Sequence, residues 1–363
     1  MEFKTTREAL LSSLELLKLS SGNVTDPATP ANSVKIEAHE KAIYMFTYTM
    51  HSAMLKKLKG EVKGIGACVV HLGNLLDLTK KLKKDKPVKL VILEDGRLEV
   101  RQQRSRSKFS TFEVSKFPAF TYIKKEMYNP INPTDFRDAV QRISYCIDSD
   151  SMRKGLSGML LDPVEEEDAF CRLVASDGHR LNIAKVLAVF ESKVLVPFHA
   201  VQVILRAFKD EKDVGVFADE NYFFFQSDDI YYNSRLISSP FPEYWQVFPK
   251  GDHMSIKVLR KDIIDAFERL VLFSKDTGTA RVSVIGNKLE VRVRDKSAEA
   301  LEEIDIIEET GAQPIEIGLN AQNILQAFKH FTESEITMRI YGAHSPISVK
   351  ESVTEKIIMP VRL

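Results

Sequence analysis

The 363-residue sequence holds only three cysteines, Cys68, Cys146 and Cys171, an odd number set far apart. They form no disulfide framework and no Cys-x-x-Cys metal pair, so reduced thiols in a cytoplasmic protein are expected. No run of 18 uncharged apolar residues occurs, which excludes a helical membrane span. Glu2 and Arg7 fall where a secretory leader would be apolar, so secretion is not expected. An excess of one charge is missing as well, since 51 Lys and Arg balance 51 Asp and Glu. A chain without net charge does not grip nucleic acid with its whole surface, and any such contact must come from a local basic face.

Enzymatic signatures are equally scarce. There is no Gly-rich phosphate loop and no helical His-Glu-x-x-His, and the eight histidines are scattered without metal-ligand spacing. Asp177-Gly178-His179 is the one cluster that could serve a metal-dependent hydrolase. Its simpler reading is a tight turn after the strand 172–175, with Gly178 supplying the backbone freedom. No catalytic residue, cofactor or metal is expected.

What the sequence does have is repetition. Ile204-Leu205-Arg206-Ala207-Phe208-Lys209 returns 120 residues later as Ile324-Leu325-Gln326-Ala327-Phe328-Lys329, and Phe117-Pro118 returns 124 later as Phe241-Pro242. Three copies account for the length, with boundaries at 1–125, 126–249 and 250–363, the first copy being the most divergent. Each copy has an early helix (5–19, 133–147, 260–274) and a later one (69–84, 199–212, 320–332). Thr5-x-x-Glu8 reads as a capping box, and Asn132-Pro133 as a cap with proline in the first turn. Strand runs face each other across Asp95-Gly96 and Gly286-Asn287. Helices wedged among hairpins imply an α+β fold rather than βαβ units. The stretch 20–33, rich in Ser, Asn, Pro and Thr, is expected to be flexible.

The helices are amphipathic, and their outward faces favour Lys, Arg and Gln: Lys80, Lys81 and Lys84 on one, then Arg137, then Arg206 and Lys209, then Lys329. Solvation alone accounts for any single face; together they form a candidate phosphate-facing surface. Charge is segregated elsewhere too. The run 101–108 carries Arg104, Arg106 and Lys108, and the run 299–309 carries Glu299, Glu302 and Glu303. Two solvated edges explain this, or a head-to-tail meeting of two chains through complementary charge. The chain ends on an apolar strand, with Met359-Pro360-Val361-Arg362-Leu363 as a possible lip of a groove.

Four segments together resemble the bacterial DNA polymerase III β subunit family of sliding clamps. They are Ala175-Ser176-Asp177-Gly178-His179-Arg180-Leu181, Phe241-Pro242-Glu243-Tyr244, Ile317-Gly318-Leu319-Asn320 and the terminal Met359–Leu363. The resemblance implies a clamp fold of three similar domains, each with two helices inside and β-sheets outside. Two chains would close head to tail into a six-domain ring around duplex DNA, without reading its sequence. It also implies a groove for a short linear motif borne by DNA polymerase, clamp loader and repair proteins. On matching positions the groove comprises Leu156, Ser176, Gly178, His179, Arg180, Leu181, Pro242, Val247, Asn320 and Met359 through Leu363. Arg153 and Lys154 join the helix cations as DNA contacts. Phe109 and Val271-Leu272-Phe273 match the paired edge strands of the homodimer contact. Gln246 stands where the family often has arginine. A monomeric peptide-binding scaffold remains the alternative, separated from the ring by oligomeric state.

Overall fold

The computed structural model describes residues 1–21, 32–40, 42–120, 123–164, 169–209, 211–274, 278–294, 298–311 and 315–363. Most of the stretch expected to be flexible, residues 22–31, lies outside them. Six helices are described: α1 (Arg7–Ser20), α2 (Leu72–Lys81), α3 (Pro133–Ile143), α4 (Phe198–Ala207), α5 (Arg260–Leu270) and α6 (Ala321–Lys329).

Local chemistry explains most of their ends. The hydroxyl of Thr6, not Thr5, caps α1 by accepting from the Ala9 amide at 3.1 Å. Thr5 is held inward by the alternation of the strand Glu2–Thr6, which buries Phe3 and Thr5, and this moves the cap one residue on. Helix α2 likewise starts three residues later than its periodicity suggests. Val69, Val70 and His71 finish the strand Gly66–His71, where β-branched residues pack against Ser33–Ala38, and His71 Nδ1 then caps Asn74. Asn132 caps α3 as expected, its side-chain oxygen accepting from Thr134 at 3.0 Å. Helices α3 and α5 stop at Ile143 and Leu270 and tighten into 3-10 turns at Ser144–Cys146 and Val271–Phe273. The repeated apolar residues face inward in both copies: Ile204, Ala207 and Phe208, and Ile324, Ala327 and Phe328, are all buried.

The chain forms two compact units, one of residues 1–134 and 199–236, the other of 135–198 and 237–363. The second sequence copy therefore contributes strands to both. The first unit has a five-stranded sheet ordered Glu61–Lys63, Glu2–Thr6, Pro87–Ile92, Leu98–Gln102, Ser105–Phe109. Its eight-stranded sheet joins Asn129–Ile131 and the meander Val214–Ala218, Tyr222–Gln226, Ile230–Arg235 to Ser52–Lys59, Ala42–Tyr48, Ser33–Ala38 and Gly66–His71. The second unit holds one twelve-stranded sheet, in which Arg180–Leu187 pairs antiparallel with Thr354–Ile358. Both hairpins read from Gly dipeptides are present. Gly96 and Gly286 have φ of +82° and +60°, and Ile285 faces Lys288 across a two-residue turn.

Candidate functional site

Within the second unit, three segments converge on one cleft. The first is the turn between the strands Phe170–Ser176 and Arg180–Leu187. Asp177 Oδ1 accepts from the amides of His179 (2.9 Å) and Arg180 (3.0 Å), and Gly178 takes φ +86°. Asp177 Oδ2 accepts from Arg180 Nε at 2.9 Å, so both oxygens serve the turn. The Asp-Gly-His cluster is structural, as its simpler reading held.

The second segment is the linker 241–248, whose 3-10 turn Tyr244–Val247 brings its aromatics together as tilted pairs. Ring centroids lie 4.4 Å apart for Tyr244 and Trp245 and 5.1 Å apart for Trp245 and Phe248. The Tyr244 hydroxyl donates to the buried Asp162 carboxylate. Burial first, and this bond second, push its phenol above the ordinary tyrosine range. Leu156 reaches the cleft from the 3-10 turn Lys154–Leu156, which runs so close to the linker that a Cβ on Gly155 would stand 2.2 Å from the Pro240 carbonyl.

The third segment is the chain end. It is tied down rather than frayed: the Met359 amide donates to the His179 carbonyl at 2.9 Å and the Val361 amide to the Gly318 carbonyl at 2.8 Å. Gly318 is the only residue type that permits the second contact, since a Cβ there would lie 2.4 Å from Val361 O. The three segments enclose a cavity of about 180 Å³. Its apolar lining includes Leu156, Leu181, Phe241, Val247, Ile357 and Met359.

A cationic network backs this cleft. Arg180 is only 8% exposed. Besides Asp177 it donates through Nη1 to Gln326 Oε1 at 2.6 Å and lies 4.9 Å from the Tyr145 ring. Tyr145 stacks flat on His330 with centroids 4.2 Å apart. Lys356, fully buried, donates to the Ala327 carbonyl at 2.7 Å and sits 4.1 Å from the Phe331 ring. Burial, with Lys356 and Arg180 nearby, pulls the His330 pKa down to about 4, so its ring is neutral at pH 7. Arg180 therefore stiffens the wall of the cleft, its guanidinium held by protein groups.

Eight of the fourteen groove residues read from the sequence line this cavity: Leu156, Ser176, Gly178, Arg180, Leu181, Pro242, Val247 and Met359. The other six do not line it. His179 supplies only its backbone to Met359, and Asn320 caps α6 by accepting from Asn323 at 3.0 Å. Pro360 and Val361 run past the cavity, while Arg362 and Leu363 line a separate open depression with Arg281 and Glu316. Arg153, assigned by resemblance to DNA, also lines the cleft, as do Phe241, Glu243, Tyr244 and Ile357. Ile357 was legible from strand alternation, two residues before Met359.

The cations assigned to the helices are mostly on the surface, but Lys84 and Lys209 lie beyond the last residues of α2 and α4, which end at Lys81 and Ala207 rather than at 84 and 212. In the first unit Lys80, Lys81, Lys84, Arg206 and Lys209 are exposed, and Arg7 of α1 donates to the carbonyls of Thr79 and Lys80 at the end of α2. In the second unit Arg153, Lys154 and Lys329 are exposed and Arg137 is half-buried. Among the described residues four of these nine have acidic neighbours: Lys80 with Asp77 (4.0 Å), Arg137 with Asp138 (3.6 Å), Arg206 with Glu15 (3.6 Å) and Lys329 with Glu268 (2.6 Å). Such exposed pairs are weak, and a phosphate can displace them. All six helices carry a basic residue in the last turn, so part of the cationic bias answers the helix dipole.

The charge blocks assigned to a homodimer contact fare differently. The strand Ser105–Phe109 is a sheet edge, with Arg104, Arg106 and Lys108 exposed along it. Val271–Phe273, expected as an edge strand, is a 3-10 turn: its apolar residues prolong the hydrophobic stripe of α5, and the backbone stays in the right-handed helical region at Val271. Leu272 nevertheless remains 65% exposed. The acidic run lies in the strand Glu299–Thr310, inside the sheet, and finds cations within its own unit. Glu299 meets Arg292, Glu302 meets Arg269 at 2.6 Å, and Glu303 meets Lys288.

Comparison with known proteins agrees with the fold. The profile of the DNA polymerase III beta subunit, central domain, matches residues 130–243, and that of its C-terminal domain matches 245–362. The Beta sliding clamp of Vibrio cholerae is 24% identical over 379 residues, covering 100% of both chains. That of Pseudomonas aeruginosa is 25% identical over 307 residues and 82% of each. A sliding clamp from Bartonella birtlesii bound to griselimycin superposes with TM-score 0.91 at 20% identity over 100% of both chains. The beta subunit from Thermotoga maritima gives 0.89 at 18%, covering 100% of this chain and 99% of that one. With both profiles spanning most of the sequence and the α+β clamp architecture extending over its full length, this chain belongs to the DNA polymerase III β subunit family, the sliding clamps.

Proposed function

We propose that two copies of this chain close into a ring around duplex DNA and hold a polymerase there through the cleft at Leu181, Val247 and Met359. The supporting observation is the convergence of eight groove residues, carried over from the family resemblance, on one apolar cavity in a chain of this family. Each chain supplies three clamp domains, 1–125, 126–249 and 250–363, and the first domain of one chain meets the third of its partner head to tail. The protein performs no chemistry of its own. Its contribution is topological: a closed ring cannot leave DNA sideways, so a bound polymerase stays at millimolar-scale effective concentration, about that of a short flexible tether. Lys80, Lys81, Lys84, Arg206, Lys209 and Lys329 touch phosphates through weak, exchangeable contacts, which leaves the ring free to slide.

The cleft takes a short Gln-and-Leu/Phe peptide from polymerase, loader or repair proteins. Leu156, Leu181, Val247 and Met359 offer apolar walls, and methionine adapts to differing anchors. The walls are held by the Asp177 turn and the Arg180 network, so little order is lost on binding.

The direct test is topological. The protein should sediment at twice its 41.2 kDa chain mass. Loaded on circular nicked plasmid with a clamp loader, it should stay bound through high salt and be lost when the plasmid is cut once. A persistent monomer, or equal retention on cut and uncut plasmid, would sink the ring.

A further inference from the structure

The first unit contains a second cleft, of about 320 Å³, that none of the sequence motifs singled out. It is lined by residues from the turn 48–53, by Ala119, Phe120 and Ile123, and by the strands around Asp219, Tyr222 and Asn233. Shifting the peptide cleft's numbering by the internal repeat brings the two linings into register. Glu243, Tyr244 and Val247 correspond at an offset of 124 to Ala119, Phe120 and Ile123, and all six line their respective cavities.

The backbone frame repeats as well. Arg180 pairs with Ile358 in one sheet, and Ser52 with Ser234 in the other. The His179 carbonyl accepts from the Met359 amide at 2.9 Å, and the His51 carbonyl from the Arg235 amide at 2.7 Å. Where Asp177 gathers the amides of His179 and Arg180, the Thr49 hydroxyl gathers those of His51 (3.2 Å) and Ser52 (2.9 Å).

The side chains differ in chemistry. Ser52 stands in the place of Arg180, and Asn233 in the place of Ile357. Among the described residues no arginine or lysine lines the second cavity, and Asp219 lines it beside exposed Glu220. Its apolar surface is open to a ligand: Met50 is 84% exposed, Tyr48 38% and Tyr222 37%, with Phe120 and Phe224 behind them. Methionine and aromatics around a cavity of this size receive one or two large apolar anchors. The acidic rim then selects basic flanks.

We infer that this cleft is a second peptide-recognition site, taking a short extended segment with an aromatic or aliphatic anchor flanked by Lys or Arg. The inference rests on the peptide reading of the first cleft, and two probes separate their failures. One is a fluorescein-labelled peptide with a Phe-Leu anchor between lysines; the other is a labelled Gln-and-Leu/Phe peptide. Anisotropy is measured on the full-length protein and on three variants. Ala119 is exposed, so Ala119→Trp fills the cavity at little cost to folding. Asp219 Oδ1 caps the amides of Asn221 and Tyr222, and Asp219→Asn keeps that acceptor while removing the charge. Met359→Ala alters only the first cleft.

The lysine-flanked peptide should lose about tenfold or more in affinity with Ala119→Trp, as for a central anchor, several-fold with Asp219→Asn, and nothing with Met359→Ala. The Gln-and-Leu/Phe peptide should show the reverse pattern. Absence of lysine-flanked binding, or binding that Met359→Ala removes and Ala119→Trp spares, overturns the second site. A change in sedimenting mass on Ala119→Trp would assign the cleft to another copy of the chain and overturn it equally. Failure of the Gln-and-Leu/Phe probe alone counts against the first cleft only.

Discussion

Replacing Lys356 by methionine should change how stability depends on pH. Lys356 is fully buried behind the peptide cleft, next to Ile357, with its ammonium against the Ala327 carbonyl and the Phe331 ring. Burial pulls its pKa from 10.5 down to about 7; Cys146 and Glu351 oppose the shift, and Arg142 and Arg180 add to it. In the unfolded chain a lysine keeps its proton to about pH 10.4. From pH 7 upward the unfolded state therefore binds more protons than the folded one, and stability must rise with pH, at most about 1.4 kcal/mol per unit. Between pH 7.0 and 8.5 the folded group is half to almost wholly neutral, which gives a gain of about 1.5 kcal/mol. His330 changes charge below the window, whereas the three buried cysteines, their thiols pushed up to about 12, begin to ionise in the unfolded chain toward its upper end and lower the stability of wild type and variant alike. The assay is urea unfolding at fixed protein concentration, followed by Trp245, the only tryptophan and a member of the same unit. Across the window the wild type should gain about 1.5 kcal/mol relative to Lys356→Met, the cysteine contribution being common to both. Equal slopes for the two proteins would refute the buried-ammonium account.

Three further outcomes follow from the same geometry. Changing Lys80, Lys81 and Lys84 together to Glu should weaken DNA retention and reduce the salt slope by up to about 2.7, about 0.9 per phosphate contact; an unchanged slope would remove these residues from the DNA face. Asp177→Ala should lower affinity for the Gln-and-Leu/Phe peptide about tenfold by loosening the turn that seats Arg180, with no response to EDTA, whereas a metal-dependent hydrolase would lose an activity that EDTA also abolishes. Ser107→Pro, on the exposed edge strand Ser105–Phe109, should shift sedimentation from dimer toward monomer; an intact dimer would free that edge from the contact.

The parts of this molecule that depend on neighbours in sequence were legible without coordinates. The turn at Gly178, the cap at Asn132, the two Gly hairpins and the buried stripes of α3, α4 and α6 all follow from local rules. What escaped was decided by residues far away in the chain. Arg180 was placed in the groove by resemblance alone, and nothing in the sequence showed that Gln326, 146 positions later, and Tyr145 hold its guanidinium. The acidic run was read against a partner chain, and the sequence did not show that Arg269 and Lys288 answer it on adjoining elements of its own. The sheets went unread for the same reason, because Arg180–Leu187 finds Thr354–Ile358 only in three dimensions. The second cleft escaped differently. Its signal, Phe117-Pro118 against Phe241-Pro242, was present, but the repeat conserves the frame while exchanging Arg180 for Ser52 and Ile357 for Asn233. A duplicated scaffold keeps the backbone that positions a site because the core depends on it, while the lining, half-exposed and unconstrained by packing, is free to acquire a different specificity. A search keyed to side chains finds the first cleft and passes over the second; a search keyed to hydrogen-bonded carbonyls, those of His179 and His51, finds both.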